Sequence, residues 1–563
     1  MNDTRRTILW VVFTMSLFFL WDAWNKHTGQ PGLFGGPRPA ASVPAGAAAG
    51  ASGVPTASAA SVASASALGQ AATPTAPAGA AAALAPSEKI SLKTDVLKVT
   101  VDTLGGTLTH VELLKYADQH DPTQPMVLLD QSAKRLYLAQ TGLITSVPGV
   151  SLPNHLSLMT VTTPERELAT GAQDLVLKLE SAAIEGRKLV KTYAFKRGSY
   201  LVDVKHELIN ESTAAVTPQL YVQLARDGNA PEGESSFYST FTGPAIYTDA
   251  SKFHKIDFKD IDKGKAEHDK SANNGWIAMV QHYFTSAWLL PSATTREFRT
   301  AKVADNHYTI AMVSTLGEVA AGATGALTAQ LYVGPQEEDA LSALAPGLEL
   351  VKDYGWLTVI AKPLFWLLSK LHSVLGNWGW AIVALVVLLK AAFYWLNASA
   401  YKSMAKMKAI NPRVMELRER YKDDQQKMQQ EMMRIYREEK VNPLGGCLPI
   451  VVQMPFFIAL YWVLLSSVEM RNAPWVGWIT DLAAKDPYFI LPVLMTLSSL
   501  FQTWLNPTPP DPVQAKMMWI MPLAFSFMFF FFPSGLVLYW LVNNLLSIAQ
   551  QWFINKRLGV LNT

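Results

Sequence analysis

Trp378-Gly379-Trp380-Ala381-Ile382-Val383-Ala384-Leu385-Val386-Val387-Leu388-Leu389-Lys390-Ala391-Ala392-Phe393-Tyr394-Trp395-Leu396 is an apolar run whose one charge is Lys390. A hydrocarbon core of about 30 Å takes roughly 20 residues of helix, so the run reads as a membrane span. An ammonium at the centre of such a helix costs about 2.5–3.5 kcal/mol, and charges of this kind face a wet cavity, a partner or a pathway. Lys390 is therefore the leading candidate functional residue. The plainer reading is snorkelling: about 9 Å of helix separates Lys390 from Leu396, within reach of the headgroups.

Four more segments of similar length follow: Leu448 to Val468, Tyr488 to Leu505, Met517 to Phe532 and Leu536 to Ile554. In lipid only helices and closed barrels satisfy their own backbone, so these predict a helical bundle. The connection from Tyr401 to Asn442 carries eleven Lys or Arg against seven acidic residues, whereas Glu469 to Pro487 has only Arg471 and Lys485. The basic connection is thus expected in the cytoplasm. It reads as a helical hairpin, with Met407, Ile410, Val414, Leu417 and Tyr421 at helical spacing, an interruption at Asp423-Asp424, and Met428, Met432 and Ile435 resuming the pattern. Asn411-Pro412 looks like an N-cap and first helical residue, predicting a restart within the first arm. Met407, Met415, Met428 and Met432 read as seam residues, or alternatively as an adaptable surface for varied apolar segments.

Upstream of the quoted run, Trp356, Ile360, Leu364, Leu367, Leu371 and Val374 define an amphipathic helix. It suits either the outer membrane interface or the surface of a neighbouring domain. From about Glu88 to Gly347 the period becomes two: Leu97, Val99 and Val101 alternate with Lys98 and Thr100, and Val202 and Val204 with Asp203 and Lys205. Turn signals such as Leu104-Gly105-Gly106-Thr107 separate these strands, predicting an antiparallel sandwich. Its histidines, including His110, His155, His206, His254 and His268, show no ligand spacing and read as surface or core residues. Thr28 to Pro86 is mostly Ala, Gly, Pro and Ser with Arg38 as its one charge, which reads as a disordered tether. Ile8 to Trp21, after Arg5 and Arg6, suits a membrane anchor or the core of a signal peptide equally. The single cysteine, Cys447, excludes an intramolecular disulfide framework.

Two polar stripes emerge when the spans are drawn as helices: Lys390, Tyr394, Asn397 and Tyr401, and then Tyr539, Asn543, Ser547 and Gln550, with Trp540 and Asn544 beside the second. Gln453, Gln502 and Thr503 add hydrogen-bonding groups. Such residues commonly glue membrane helices together, and together they would also suit one wet recess. Neither a phosphate-binding glycine loop, a metal-ligand cluster nor a nucleophile-base pairing is visible. These observations leave open a solute transporter or channel and a sugar- or peptide-binding strand domain tethered to the membrane, with an enzyme least supported. The absence of an internal repeat counts against a transporter.

Asn442-Pro443-Leu444-Gly445-Gly446-Cys447-Leu448-Pro449 with Gln453-Met454-Pro455 and Leu460-Tyr461 resembles the YidC membrane protein insertases of Gram-negative bacteria. So do Phe532-Pro533-Ser534-Gly535-Leu536-Val537-Leu538-Tyr539 and Tyr401-Lys402-Ser403-Met404-Ala405-Lys406-Met407. The resemblance implies an uncleaved anchor and an insertase and chaperone, not an enzyme, with a hydrophilic groove open to cytoplasm and lipid. Lys390 would be the basic groove residue, where relatives commonly carry Arg; Lys keeps the positive field without the planar fork. Trp395 stands where relatives tend to have Pro, so the sequence offers no cause for a kink there. The groove residues are then Lys390, Tyr394, Asn397, Gln453, Tyr539, Trp540 and Asn543, with Met407, Met415, Met428 and Met432 as hairpin contacts. Implied partners are nascent membrane proteins, the bilayer, the Sec translocon, and the ribosome with its targeting factors; no cofactor, metal or direct nucleic-acid specificity is implied.

The expected architecture is a polytopic α-helical membrane bundle of six spans including the N-terminal anchor, with a large extracytoplasmic antiparallel β-sandwich and a cytoplasmic helical hairpin. Its expected parts are an anchor (1–27), tether (28–87), periplasmic sandwich (88–347), interfacial helix (348–376), second span (377–400), hairpin (401–442), spans three to six (443–554) and short cytoplasmic tail (555–563). Both termini are expected inside, in the bacterial inner membrane.

Overall fold

The computed structural model describes residues 87–118, 121–231, 240–291, 294–421, 424–439, 448–506 and 512–557. The anchor, nearly all of the tether, the Asn442–Cys447 part of the family signature and the end of the tail lie outside the described residues. The chain divides into two compact units, with the boundary between Lys352 and Asp353.

The strand unit is a pair of antiparallel sheets, each of nine strands among the described residues. In spatial order the first contains Lys89–Lys93, Leu97–Asp102, Thr107–Ala117, Pro125–Gln131, Leu136–Ile144, Gln219–Asp227, His307–Thr315, Arg296–Ala304 and Ser271–Ala272. The second contains Lys252–Lys255, Gly243–Thr248, Trp276–Gln281, Phe284–Leu289, Thr324–Pro335, Leu201–Asn210, Arg187–Lys196, Asp174–Ser181 and Met159–Val161. The alternation in the sequence is the alternation in space: Leu97, Val99 and Val101 are buried, whereas Lys98 and Thr100 are half-buried. Gly105, at φ +69°, makes the predicted turn, and a Cβ there would lie 2.2 Å from the His155 carbonyl oxygen.

Hydrogen bonds cross between the two inner faces. Trp288 Nε1 donates to the Gln223 carbonyl at 3.1 Å and Tyr137 to the Met279 carbonyl at 3.2 Å. Lys191, fully buried, donates to the carbonyls of Gly105 at 2.5 Å and Thr141 at 2.7 Å. Burial pushes its ammonium down to about 7. His155 and His206 are core residues, bonded to Tyr221 and to Thr141 respectively. Burial, with the Lys191 charge nearby, drives them down to about 4 and about 3.

The predicted interfacial segment 348–376 is divided by the structure. Leu348 and Val351 bury themselves in the strand unit's core beside Tyr247 and Trp276, so the first residues of that segment belong to the sandwich. The helix itself, α1, is Thr358–Leu375. It is followed by α2 (Trp378–Ala392), α3 (Tyr394–Arg420), α4 (Gln425–Glu438), α5 (Leu448–Ser466), α6 (Ile490–Leu505), α7 (Pro512–Phe529) and α8 (Ser534–Arg557). Gly376 ends α1 in the left-handed region, its N–H donating to the His372 carbonyl at 2.7 Å. Asn377 then caps α2 through Trp380 N at 3.1 Å. The buried face of α1, Ala361, Leu364, Phe365 and Leu368, shares a core with Ile382 and Leu385 of α2 and Leu460 and Val463 of α5.

Two helix predictions are corrected. The expected straight span through Leu396 stops at Ala392, and α2 meets the first part of α3 at a bend of 67°. Neither Pro nor Gly causes it. Phe393 leaves helical geometry at φ −90°, ψ 12°, and its ring sits edge-on to Phe456 of α5 at 5.1 Å. Conversely, Asn411-Pro412 starts nothing, because α3 runs through both residues. The hairpin forms from α3 and α4, with Ile410 and Val414 buried and an Arg413–Glu439 ion pair of 2.8 Å between its arms.

Among the described residues no single helix is both long and apolar enough to cross a membrane alone; α2 with the first half of α3 passes as a bent pair. The outer faces carry the lipid signature. Val387 and Leu388 of α2, Leu497, Phe501 and Trp504 of α6, and Ile520, Leu523, Phe525 and Phe527 of α7 are all exposed. Water-soluble proteins rarely expose apolar surface on this scale.

Candidate functional site

One end of the helical unit is closed by the loop between α5 and α6. Asn377 Nδ2 donates to the Pro474 carbonyl at 2.8 Å, and Gly379 lies so close to Trp475 that a Cβ would come within 2.2 Å of the ring. Asp486, almost fully buried, accepts from Trp478 Nε1 at 2.9 Å and from the backbone N–H groups of Tyr488 and Leu491 at 3.0 and 2.7 Å. Ser534 N and Gly535 N, at the start of α8, donate to the carbonyls of Ala484 and Leu482.

The polar residues gather towards the other end, around α8. Lys390, in the last turn of α2 and half-buried, donates from Nζ to Ser547 Oγ at 2.7 Å. Ser547 in turn donates to the Asn543 carbonyl at 2.7 Å, and the Tyr401 hydroxyl lies close to the same serine. Gln550 Nε2 donates to the Tyr394 carbonyl at 3.3 Å. The bend at Phe393 therefore breaks the predicted single stripe of Lys390, Tyr394, Asn397 and Tyr401, and α8 reunites most of it. Lys390 forms no ion pair with a described carboxylate.

The remaining predicted residues fall in different places. Asn397 is 5% exposed, and its Nδ2 is buried without a hydrogen-bond partner. Gln453 is half-buried on α5. Tyr539, expected to line the groove, belongs to the packed core, 3% exposed with its ring edge-on to Phe457 at 5.3 Å. Trp540 is half-buried and edge-on to Phe529 at 4.3 Å. Tyr394 points outward at 39% exposure and contributes its backbone to the cluster rather than its ring. In the hairpin Met407, Met428 and Met432 are half-buried, whereas Met415 is exposed and lies off the seam.

A second polar face of α8 looks towards α6. Asn544 Nδ2 donates to Ser499 Oγ at 2.9 Å, and the buried Gln551 donates to Asn506 Oδ1 at 3.0 Å. Gln551 was missed in the sequence, although its spacing of seven from Asn544 is the signal that would have found it. Such pairs are glue between helices. Among the described residues no group of His, Cys, Asp and Glu side chains is arranged to hold a metal.

A bundle with apolar outer faces, one sealed end and a cation among neutral polar groups nearer the other, joined in one chain to an antiparallel sandwich, defines a polytopic helical membrane protein with an extramembrane domain. Residues 89–367 match the family model described as the YidC periplasmic domain, and residues 370–560 match that of the 60Kd inner membrane protein. The membrane protein insertase YidC of Janthinobacterium sp. is 52% identical over all of both chains. That of Ralstonia nicotianae is 55% identical, covering 99% of this chain and 98% of its own. A crystal structure of an active YidC insertase with its first transmembrane domain resolved aligns at 18% identity and a TM-score of 0.39, covering 83% of this chain and 92% of that one. The chain belongs to the YidC family of membrane protein insertases.

Proposed function

We propose that the chain is an inner-membrane insertase and chaperone for nascent membrane proteins. Lys390 carries this reading, because an ammonium held by a hydroxyl, without a described carboxylate as counter-ion, keeps its field for a passing polar or acidic flank. The flank enters a groove formed by Lys390, Gln453, Trp540 and Asn543, with Tyr394 at its mouth and the buried Asn397 and Tyr539 in the wall behind. Neutral polar groups partly replace its water, so it never crosses the full hydrocarbon thickness. The client's apolar stretch slides along the exposed faces of the bundle, driven by hydrophobic partitioning without covalent chemistry. The half-buried Met407, Met428 and Met432, with Met415 outside them, give the hairpin an adaptable apolar surface for arriving segments.

In this reading the sandwich is periplasmic, and the basic hairpin and both termini are cytoplasmic. The ribosome, its targeting factors and the Sec translocon are the partners that deliver or share clients. Insertion of a client with a charged flank into proteoliposomes tests the reading. Lys390→Ala should insert it poorly while Lys390→Arg inserts it well; equal insertion by all three proteins would remove Lys390 from the mechanism.

A further inference from the structure

One face of α3 takes no part in the polar cluster and meets the other hairpin arm through Arg413. Trp395, Lys402, Lys406, Arg413 and Arg420 follow at spacings of seven, four, seven and seven, which keeps them within about 40° of one another around the helix. All five are exposed, Trp395 at 84%. Arg413 pairs with Glu439, whereas Lys402, Lys406 and Arg420 have no ion pair among the described residues. The stripe begins two residues beyond the 67° bend.

We propose that this face rests on anionic lipid headgroups, with Trp395 seated in the interface and Lys402 and Lys406 on headgroup phosphates. Charge complementarity, the tryptophan at the membrane end of the stripe and continuity with α2 select a lipid surface. With α2 along the membrane normal, a 67° bend leaves α3 inclined by about 23° to the membrane plane. Lys402 and Lys406 then stand roughly 5 and 8 Å from the level of Phe393, and Arg413 and Arg420 roughly 12 and 16 Å. Since a Debye length is about 8 Å at physiological ionic strength, the two lysines carry most of the attraction. The contact needs only a bundle set in a bilayer, so it stands or falls separately from client insertion.

The test uses the full-length protein with Cys447→Ser, spin-labelled at Ser399→Cys or Ala409→Cys on the stripe, or at Met415→Cys away from it. Each is placed in nanodiscs of phosphatidylcholine alone or mixed with phosphatidylglycerol. The expected result is loss of probe mobility and of accessibility to an aqueous nickel reagent at 399, and less so at 409, when phosphatidylglycerol is present. Position 415 should not respond, and 1 M salt or Lys402→Gln/Lys406→Gln should reverse the change. Identical spectra in both lipids would overturn the proposal. So would a stripe that ignores phosphatidylglycerol but responds to a duplex RNA, which would make it a nucleic-acid surface.

Discussion

Lys390 Nζ donates to Ser547 Oγ at 2.7 Å, joining the last turn of α2 to the middle of α8 through a hydroxyl rather than a carboxylate. A carboxylate would neutralise the charge, whereas a hydroxyl positions it and leaves its field largely intact. Lys390→Ala should therefore lower insertion of clients with acidic flanks by about tenfold, equivalent to about 1.4 kcal/mol, with normal expression. Lys390→Arg should stay within about twofold of the parent, since the charge persists. Initial insertion rates in proteoliposomes check both, and solute retention by the same vesicles should show them tight, against a channel.

Ser547→Ala should have a smaller effect of the same kind. It frees the Asn543 carbonyl and the ammonium but removes no charge. A deficit equal to that of Lys390→Ala would mean that the hydroxyl, not the cation, is the active feature.

At the bend between α2 and α3, Phe393 packs its ring edge-on against Phe456. Phe393→Ala removes an edge-to-face contact of about 0.5–1.5 kcal/mol and should let the two helices straighten. Spin labels at the exposed positions 388 and 409 should then show a broader and longer distance distribution than in the parent.

Much of this architecture is written in residue pattern. The period of two around Leu97 and Val202 is the inward and outward alternation of the sheets, and the length of the apolar runs bounds most of the bundle helices. The bend is not legible, because neither Pro nor Gly marks it and Phe393 at its apex packs on a ring from a helix distant in sequence. Asn411-Pro412 misleads for the opposite reason: a local restart signal is overridden once the preceding turns of α3 supply a helix to continue. Leu348 and Val351 look like the approach to a membrane helix, yet Tyr247 and Trp276 claim them. Asn397, Asn543 and Ser547 are legible as polar, but which of them meets Lys390 is set by how α8 packs.

The sandwich should be acid-sensitive. His155 and His206, held down to about 4 and about 3 when folded, have ordinary values near 6.5 when unfolded. The unfolded state therefore binds more protons below 6.5, and stability, complete above that pH, should fall as pH drops towards 3. Lys191, at about 7 against an ordinary 10.5, makes stability rise further between pH 7 and 9, by on the order of 2 kcal/mol. Thermal unfolding at pH 5, 7 and 9 checks the direction, and Lys191→Met should flatten the upper part of the curve.

The sealed end can be opened selectively. Gly379→Ala gains helix propensity but drives a methyl into Trp475, which should cost about 1–3 kcal/mol by overpacking. A lowered melting temperature with the 471–489 loop made sensitive to protease is the expected outcome; an unchanged one would show that the loop is not closely packed there.

Labelling of a cysteine at position 390, in the Cys447→Ser background, by membrane-impermeant thiol reagents tests the central claim most directly. The account predicts rapid reaction from the cytoplasmic side of inverted vesicles and protection from the periplasmic side. Resistance from both sides would place Lys390 in dry protein or lipid and contradict a hydrated route for polar flanks.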